Sequence, residues 1–268
     1  MRRPLRANDQ MGWAIAQGQV PGSTTDPVAA YDAVRTAMLL AALLDGTHGI
    51  VVEVGSGSGI ATRCFPHLPG NRLAVGVDVE RGALRKATET SDRVNYLAAT
   101  ADSGLPFRTG SVDSVVASEV YEHLTHPEGF IEEVRRILKP GGRLILTTPN
   151  TQSVVLMLLR LLPRESAKSI LSRSGERQQF LHPEFFNRYD GSPHSHRIEG
   201  ASVTELARLA RDHGFRQVRN TTWGLPFAPN FGGLVPVRAR ISVLRRLDEL
   251  GVGLRHVMVV WERNPARE

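Results

Sequence analysis

The run Val51 to Ile60, VVEVGSGSGI, constrains the fold of this chain more than any other stretch. A short apolar segment of strand character passes directly into glycines at 55, 57 and 59 and then into what reads as a helix. Glycines at such spacing let bare backbone N–H groups come close to a ligand, because no side chain stands in the way. The dinucleotide fingerprint G-x-G-x-x-G would require a third glycine where Ile60 stands, and a phosphate-binding P-loop would require Gly-Lys-Ser/Thr; neither is present. Taken alone, the loop fits a tight strand-to-helix turn as well as a binding cradle.

The surrounding pattern narrows the choice. Gly49 to Val54, Leu73 to Asp78, Val94 to Ala98, Val112 to Ser118 and Arg143 to Thr148 have the length and apolar content of buried strands. Between them, Arg81 to Thr90 reads as a helix. A second begins at Pro127, a residue suited to the first helical position, and buries Phe130, Ile131, Val134, Ile137 and Leu138 on one face until Lys139-Pro140-Gly141-Gly142 stops it. Strands alternating with helices predict a parallel sheet covered on both faces, a doubly wound α/β architecture. The later chain is less regular. Gln152 to Leu162 reads as an apolar helix, and Pro163 to His196 as a polar connection. Ser202-Val203-Thr204-Glu205 is a capping box opening a helix that closes at Gly214, and Gln217 to Thr222 and His256 to Glu262 read as late strands flanking an arginine-rich helix, Val237 to Leu250. We expect one domain over 1–268, with an N-terminal helical extension at 1–48 (its helix Ala29 to Leu44), a cofactor-binding core at 49–150, a lid insertion at 151–200 and the rest of the sheet at 201–268.

Two acidic residues give the glycine loop chemical context. Asp78 ends the second strand 19 residues beyond Gly59, where a carboxylate can accept bonds from both hydroxyls of a ribose. Asp102 follows the third strand, placed for the exocyclic amine of an adenine, although a turn aspartate would look the same. All three features fall at the carboxyl ends of successive strands, the edge where open α/β sheets bind ligands.

With these residues together, the chain resembles the class I S-adenosylmethionine-dependent methyltransferases. VVEVGSGSGIAT resembles that family's first motif, GVDVE its second and TADSGLPF its adenine-contacting loop, while VDSVVASEVYEHLTHPEGFIEEVRRILKPGGRLILTTPN resembles its fourth strand through its fifth. Glu122-His123-Leu124 and LKPGGRL are most similar to the branch containing the ubiquinone-biosynthesis O-methyltransferases and many natural-product and glycan methyltransferases. The likeness is dense over residues 30 to 150 and thins beyond. It implies a Rossmann-like, doubly wound seven-stranded sheet with the last strand antiparallel, and S-adenosyl-L-methionine as cofactor. It further implies that Glu53, Gly55, Ser56, Gly57 and Gly59 surround the methionine end. Asp78 would hold the ribose, Val79 would pack on the adenine, and Ala101, Asp102 and Ser103 would line its edge. Ser118 and Glu119 would sit beside the amino-acid moiety and the methyl group, and Tyr31 would cover the cofactor, a place where a helix-packing tyrosine is the alternative. Many relatives carry Cys-Gly-Thr-Gly where this chain has Ser56-Gly57-Ser58-Gly59, a change that keeps size and hydrogen bonding.

Methyl transfer to a hydroxyl gains from a base, and histidine titrates in the right range. His123, just past the fourth strand, is one candidate; bracing of its own loop is the alternative. His194 and His196 in the insertion, with His182, Glu184 and Asp190 nearby, are candidates for acceptor contact or a second base. A His-x-His pair beside acids also suits a metal, but no third ligand can be assigned, and we expect none.

Composition excludes other classes. A single cysteine, Cys64, precludes an internal disulfide framework. No apolar run approaches the ~18 residues that span a bilayer, and polar Asn8, Asp9 and Gln10 stand where a signal core would begin. We therefore expect a cytoplasmic protein, touching membrane only peripherally if its acceptor is lipid-linked. The net charge of +6 is carried almost wholly by arginines scattered along the chain rather than by a clustered stripe, which disfavours nucleic acid. Trp223, Phe227, Phe231 and Phe180 suit an apolar acceptor pocket or plain loop anchoring. The expected activity is methylation of a small-molecule acceptor, foremost the hydroxyl of a natural product or sugar precursor. N- or C-methylation of a metabolite and a non-catalytic cofactor-binding accessory protein are the alternatives, and a homodimer is left open.

Overall fold

A computed structural model describes residues 27–44 (side chains from Arg35 onward), 49–153, 161, 200–223 and 256–265. Its strands are β1 (Ile50–Val54), β2 (Leu73–Asp78), β3 (Val94–Ala98), β4 (Val112–Ser118), β5 (Leu138–Pro149), β6 (Phe215–Trp223) and β7 (His256–Arg263). They form a seven-stranded sheet in the order β3-β2-β1-β4-β5-β7-β6. The first five run parallel, and β7 lies antiparallel between β5 and β6. The order reverses between β1 and β4, so the crevice outside their carboxyl ends is the switch point where such sheets bind ligands. Because β7 runs the other way, its first residue, His256, opposite Pro149 and Trp223, reaches the same edge.

Alternation along each strand feeds two cores. Val52, Val54, Val115, Ala117, Leu144 and Leu146 face one layer, which holds Phe130, Ile131 and Val134 of α3 (Pro127–Ile137) and Leu206 and Ala210 of α4 (Val203–Asp212). Val51, Val116 and Ile145 face the other, with Leu39, Leu40 and Leu43 of α1 (Pro27–Leu44). Both faces are covered, as a parallel sheet requires. The helix α2 (Arg81–Thr90) buries Leu84 and Ala87. The capping box of α4 forms as expected, with Ser202 Oγ accepting from Glu205 N at 3.2 Å and Glu205 Oε2 accepting from Ser202 N at 2.7 Å.

One expectation is sharpened and one needs correction. The helix after the glycine loop is a 3-10 helix, Thr62–His67; Pro66 inside it has no N–H to donate. The Lys139–Gly142 segment does stop α3, but it lies within β5 instead of preceding it. Val112 pairs with Leu138 and Ser114 with Arg143, so extra residues bulge from the ladder there, with Gly141 at φ 75°. Lys139 Nζ pairs with Asp113 at 2.7 Å across the bulge, and the other oxygen of Asp113 accepts from Ile50 N at 2.8 Å. The inserted segment from 154 to 199 lies outside the described residues apart from Leu161, as does Val237 to Leu250.

Candidate active site

The glycine loop folds back over the end of β2. Gly55 N and Ser56 N both donate to Val77 O, at 2.8 and 3.1 Å, and Gly57 N donates to Asp78 Oδ2 at 2.7 Å. Gly55, Gly57 and Gly59 all have positive φ, at 74°, 51° and 76°. A side chain at Gly55 would strike Val120, and one at Gly59 would strike the Tyr96 hydroxyl; one at Gly57 would meet nothing within 4 Å. Two of these glycines thus serve close packing, while the third faces open space in a conformation that side chains disfavour. Ser56 Oγ and Tyr96 Oη are buried with no partner among the described residues. Burial pushes the Tyr96 phenol up to about 12.

Asp78 Oδ1 accepts from Glu80 N at 2.8 Å, so the carboxylate ties the loop to the turn that follows β2. The adjacent Val79 is 54% exposed, an apolar platform open to solvent beside the loop. Glu53, near the end of β1, is buried and bonded by the Thr62 hydroxyl. Burial raises its carboxyl to about 7, against the pull of Thr62 and Arg35; the charge of Asp78 adds to the rise.

Ala101–Ser103 forms a 3-10 turn whose Thr100 hydroxyl accepts from Asp102 N at 3.2 Å. The Asp102 carboxylate accepts from Thr125 N (2.9 Å), Thr125 Oγ1 (3.1 Å) and His126 N (3.2 Å). It is therefore committed first to bracing the entry to α3, the turn role that its sequence position also allowed.

The corner made by β4, β5 and β7 is built differently. Ser118 is buried with its Oγ 3.0 Å from Thr147 Oγ1. Glu119 follows at φ 55°, a left-handed conformation uncommon outside glycine, and its N–H is bonded by both Thr147 O (3.0 Å) and Thr147 Oγ1 (3.1 Å). Its Oε1 accepts from Thr147 Oγ1 at 2.8 Å and its Oε2 lies 3.0 Å from His256 Nδ1. Burial opposes its charge, but His256 foremost, then Thr147 and Arg35, hold its carboxyl well below the ordinary range. Three residues on, Glu122 is buried and accepts from Thr148 Oγ1 at 3.0 Å. Burial and the Glu119 charge push its pKa well above the ordinary carboxylate value. Two carboxyls in one corner are thus driven apart, Glu119 toward its charged form and Glu122 toward its neutral form.

His123 lies at the end of the Tyr121–His123 turn, half-buried, with its N–H donating to Val120 O at 2.9 Å. Tyr31 lies on α1, but its side chain is outside the described residues, as are His182, Glu184, Asp190, His194, His196, Phe180, Phe227 and Phe231. Among the described residues, no group of three or more His, Cys, Asp or Glu is placed to hold a metal, and no helix is long and apolar enough to cross a membrane. The structure brings Glu53, the glycines, Asp78 and Val79 together on the β1–β2 side, and Ser118 and Glu119 on the β4 side. Arg35, Tyr96, Thr147, Thr148, Glu122 and His256 join them without having been singled out as site residues. The one signal in the sequence was a histidine opening the otherwise apolar run Val257–Trp261.

Residues 52–146 match the family model described as a methyltransferase domain. The chain is 28% identical over 183 residues to a ubiquinone biosynthesis O-methyltransferase of Cupriavidus pinatubonensis, covering 63% of this chain and 72% of that one. It is 31% identical over 135 residues to the enzyme of the same name from Xanthomonas oryzae pv. oryzae, covering 47% of this chain and 56% of the relative, so little more than half the latter's length is spanned. Among solved structures, an S-adenosylmethionine-dependent methyltransferase from Mesorhizobium loti superposes with a TM-score of 0.55 at 16% identity, covering 85% of this chain and 97% of that one. That likeness is one of fold.

Proposed function

We propose that this chain, a class I S-adenosylmethionine-dependent methyltransferase, transfers the sulfonium methyl of its cofactor to a hydroxyl of a small-molecule acceptor, a natural product or a sugar precursor. One observation carries the cofactor assignment: an open cradle at Gly57, locked to the Asp78 carboxylate, beside the exposed Val79. The buried Ser56 hydroxyl, lacking a partner among the described residues, adds a polar atom waiting for one. These residues fit the cofactor. Glu53, Gly55, Ser56, Gly57 and Gly59 hold its methionine end. Asp78 takes the ribose hydroxyls with the lone pairs that Gly57 and Glu80 leave, since an ionised carboxylate has about four acceptor sites. Val79 packs on the adenine, with Ala101 and Ser103 at its edge and Asp102 fixing that turn. Ser118 and Glu119 flank the reacting end, and Tyr31 covers it.

When bound, the cofactor supplies an activated methyl, so the protein's main task is alignment, worth about 7–11 kcal/mol at its upper range. The names of the two relatives, both O-methyltransferases, favour oxygen as the acceptor atom. Among the expected bases, His123 stands on the turn after β4, and His194 and His196 belong to the segment read as a lid. The acceptor contacts come from 1–30 and 150–240, with a cytoplasmic setting and no nucleic-acid partner.

Calorimetric titration with S-adenosylmethionine, S-adenosylhomocysteine and NADH tests the reading. Micromolar binding of the two sulfur compounds and none of NADH is expected; absence of binding by both would overturn the cofactor assignment. Release of S-adenosylhomocysteine with a catechol, a phenol and a methyl glycoside tests the hydroxyl acceptor.

A further inference from the structure

We infer that Asp102 is a positioning residue coupling the adenine side of the crevice to the acceptor side; this rests on the cofactor placement proposed above. Its carboxylate clasps the chain between the Tyr121–His123 turn and α3, so a ligand settling against Ala101 and Ser103 also fixes that turn. Oδ1 accepts from Thr125 N (2.9 Å) and His126 N (3.2 Å), and Oδ2 accepts from Thr125 Oγ1 (3.1 Å). These partners lie 23 and 24 residues away along the chain. The entry to α3 has no side-chain cap of its own to replace them. Its N-cap residue, His126, makes no cap bond, and Pro127 has no N–H to donate.

A second set of bonds makes loop and helix one body. Leu105 N donates to Glu133 Oε1 at 2.7 Å, Leu105 O accepts from Arg136 Nη2 at 3.1 Å, and Thr109 Oγ1 accepts from Arg136 Nη1 at 3.2 Å. The loop 101–109 is thus tied to the start of α3 by Asp102 and to its second half by Glu133 and Arg136. The Tyr121–His123 turn runs between this unit and the sheet, where Thr148 Oγ1 donates to Glu122 at 3.0 Å and Leu124 is buried. Ala101 and Ser103 flank Asp102 within a single 3-10 turn, so neither moves without it. Asp102, Thr125 and His126 are all exposed, and water competes for each bond of the clasp. A contact locked by burial could not be tightened further. One open to water has an equilibrium that a ligand shifts by as much as it prefers the closed form.

The test is residue-resolved amide hydrogen exchange on the full chain, with and without saturating S-adenosylhomocysteine, in wild type, Asp102→Ala and Thr125→Val. In wild type the ligand should slow exchange at 101–103 and at 121–126 together, the latter by about five-fold or more. Asp102→Ala should keep the slowing at 101–103 and lose it at 121–126. Thr125→Val, which removes one bond of the clasp, should lose part of it and decides the matter should Asp102→Ala fail to fold. A clasp that served the fold alone would speed exchange in the free variants, yet show no ligand-dependent change at 121–126 in wild type. That result would overturn the inference and leave the cofactor placement standing, as would slowing at 121–126 that survives undiminished in both variants. A ligand that binds but slows neither segment would overturn the adenine placement, and this inference with it. A wild-type protein that binds no S-adenosylhomocysteine would overturn the cofactor assignment itself.

Discussion

The two sides of the crevice hold their shape by different physics. On the β1–β2 side, the glycine loop is fixed by backbone bonds to Val77 and Asp78, with partners no more than about two dozen residues apart. On the β4–β5–β7 side, the corner depends on side chains, and its central contact joins residues 119 and 256. The first is a matter of conformation, the second of buried charge. Changes to the loop should register mainly in ligand binding, and changes to the corner mainly in stability and in pH dependence.

The largest effect belongs to the corner. His256→Ala removes the partner of a half-buried carboxylate, a type of loss that costs up to about 3–5 kcal/mol where the remaining charge is fully stranded. Urea unfolding at pH 7 should show a midpoint well below wild type, with the m-value kept. The depressed Glu119 supplies stability that is present above its unfolded pKa near 4.5 and is lost as pH falls toward its folded value, about 2. In His256→Ala that acid limb should shift upward. An unchanged midpoint would mean that the Glu119–His256 contact carries no net stabilisation.

Glu53 tests the cradle side by the same logic with the opposite sign. Its folded pKa, raised to about 7, stands above an unfolded value of 4.5, so its contribution is fully present below 4.5 and lost as pH rises through 7. A shift of that size corresponds to up to about 3 kcal/mol at one unit per 1.36 kcal/mol. Glu53→Gln should flatten the decline between pH 4.5 and 8 that wild type shows in the same unfolding series. Should both proteins decline alike, the burial of Glu53 is relieved by something other than its proton.

How much of this was legible in sequence follows the same division. The strands from β1 to β4, and α2 and α3, were readable almost to the residue, because apolar alternation and turn residues are local signals. The capping box at Ser202 was readable for the same reason. The Lys139–Gly142 bulge was misread as a break before the strand, since a ladder that resumes after an interruption looks like two events along the chain. The loop glycines and Asp78 were found because one segment carries them. His256 was read only as strand: its role depends on β7 lying between β5 and β6, a pairing across more than a hundred residues that no local pattern records. Arg35, which acts electrostatically on three carboxyls, was hidden likewise.

Asp78→Ala tests the loop side by ligand binding. It removes the acceptor for Gly57 N and, on our reading, for the ribose hydroxyls. Charge-assisted bonds of this kind are worth about 1.5–3 kcal/mol each, so cofactor affinity should fall by about 10–100-fold for each bond lost while the fold survives. Calorimetry on the folded variant checks this, and unaltered affinity would show that Asp78 serves the loop alone.

The smallest effect is the most discriminating, because it separates space from conformation within one loop. Gly57→Ala adds a methyl group that meets nothing within 4 Å, so the variant should lose only about 1–2 kcal/mol for holding alanine at φ 51°. Gly59→Ala pays the same conformational cost and must also displace the Tyr96 hydroxyl. Thermal unfolding should therefore rank Gly59→Ala below Gly57→Ala. Calorimetric binding should show Gly57→Ala weakened beyond what its mild loss of stability explains if, as we propose, the cofactor approaches the backbone through the open space there. If Gly57→Ala binds S-adenosylmethionine as wild type does, the methionine end lies elsewhere along the loop, and the open position is a turn and nothing more.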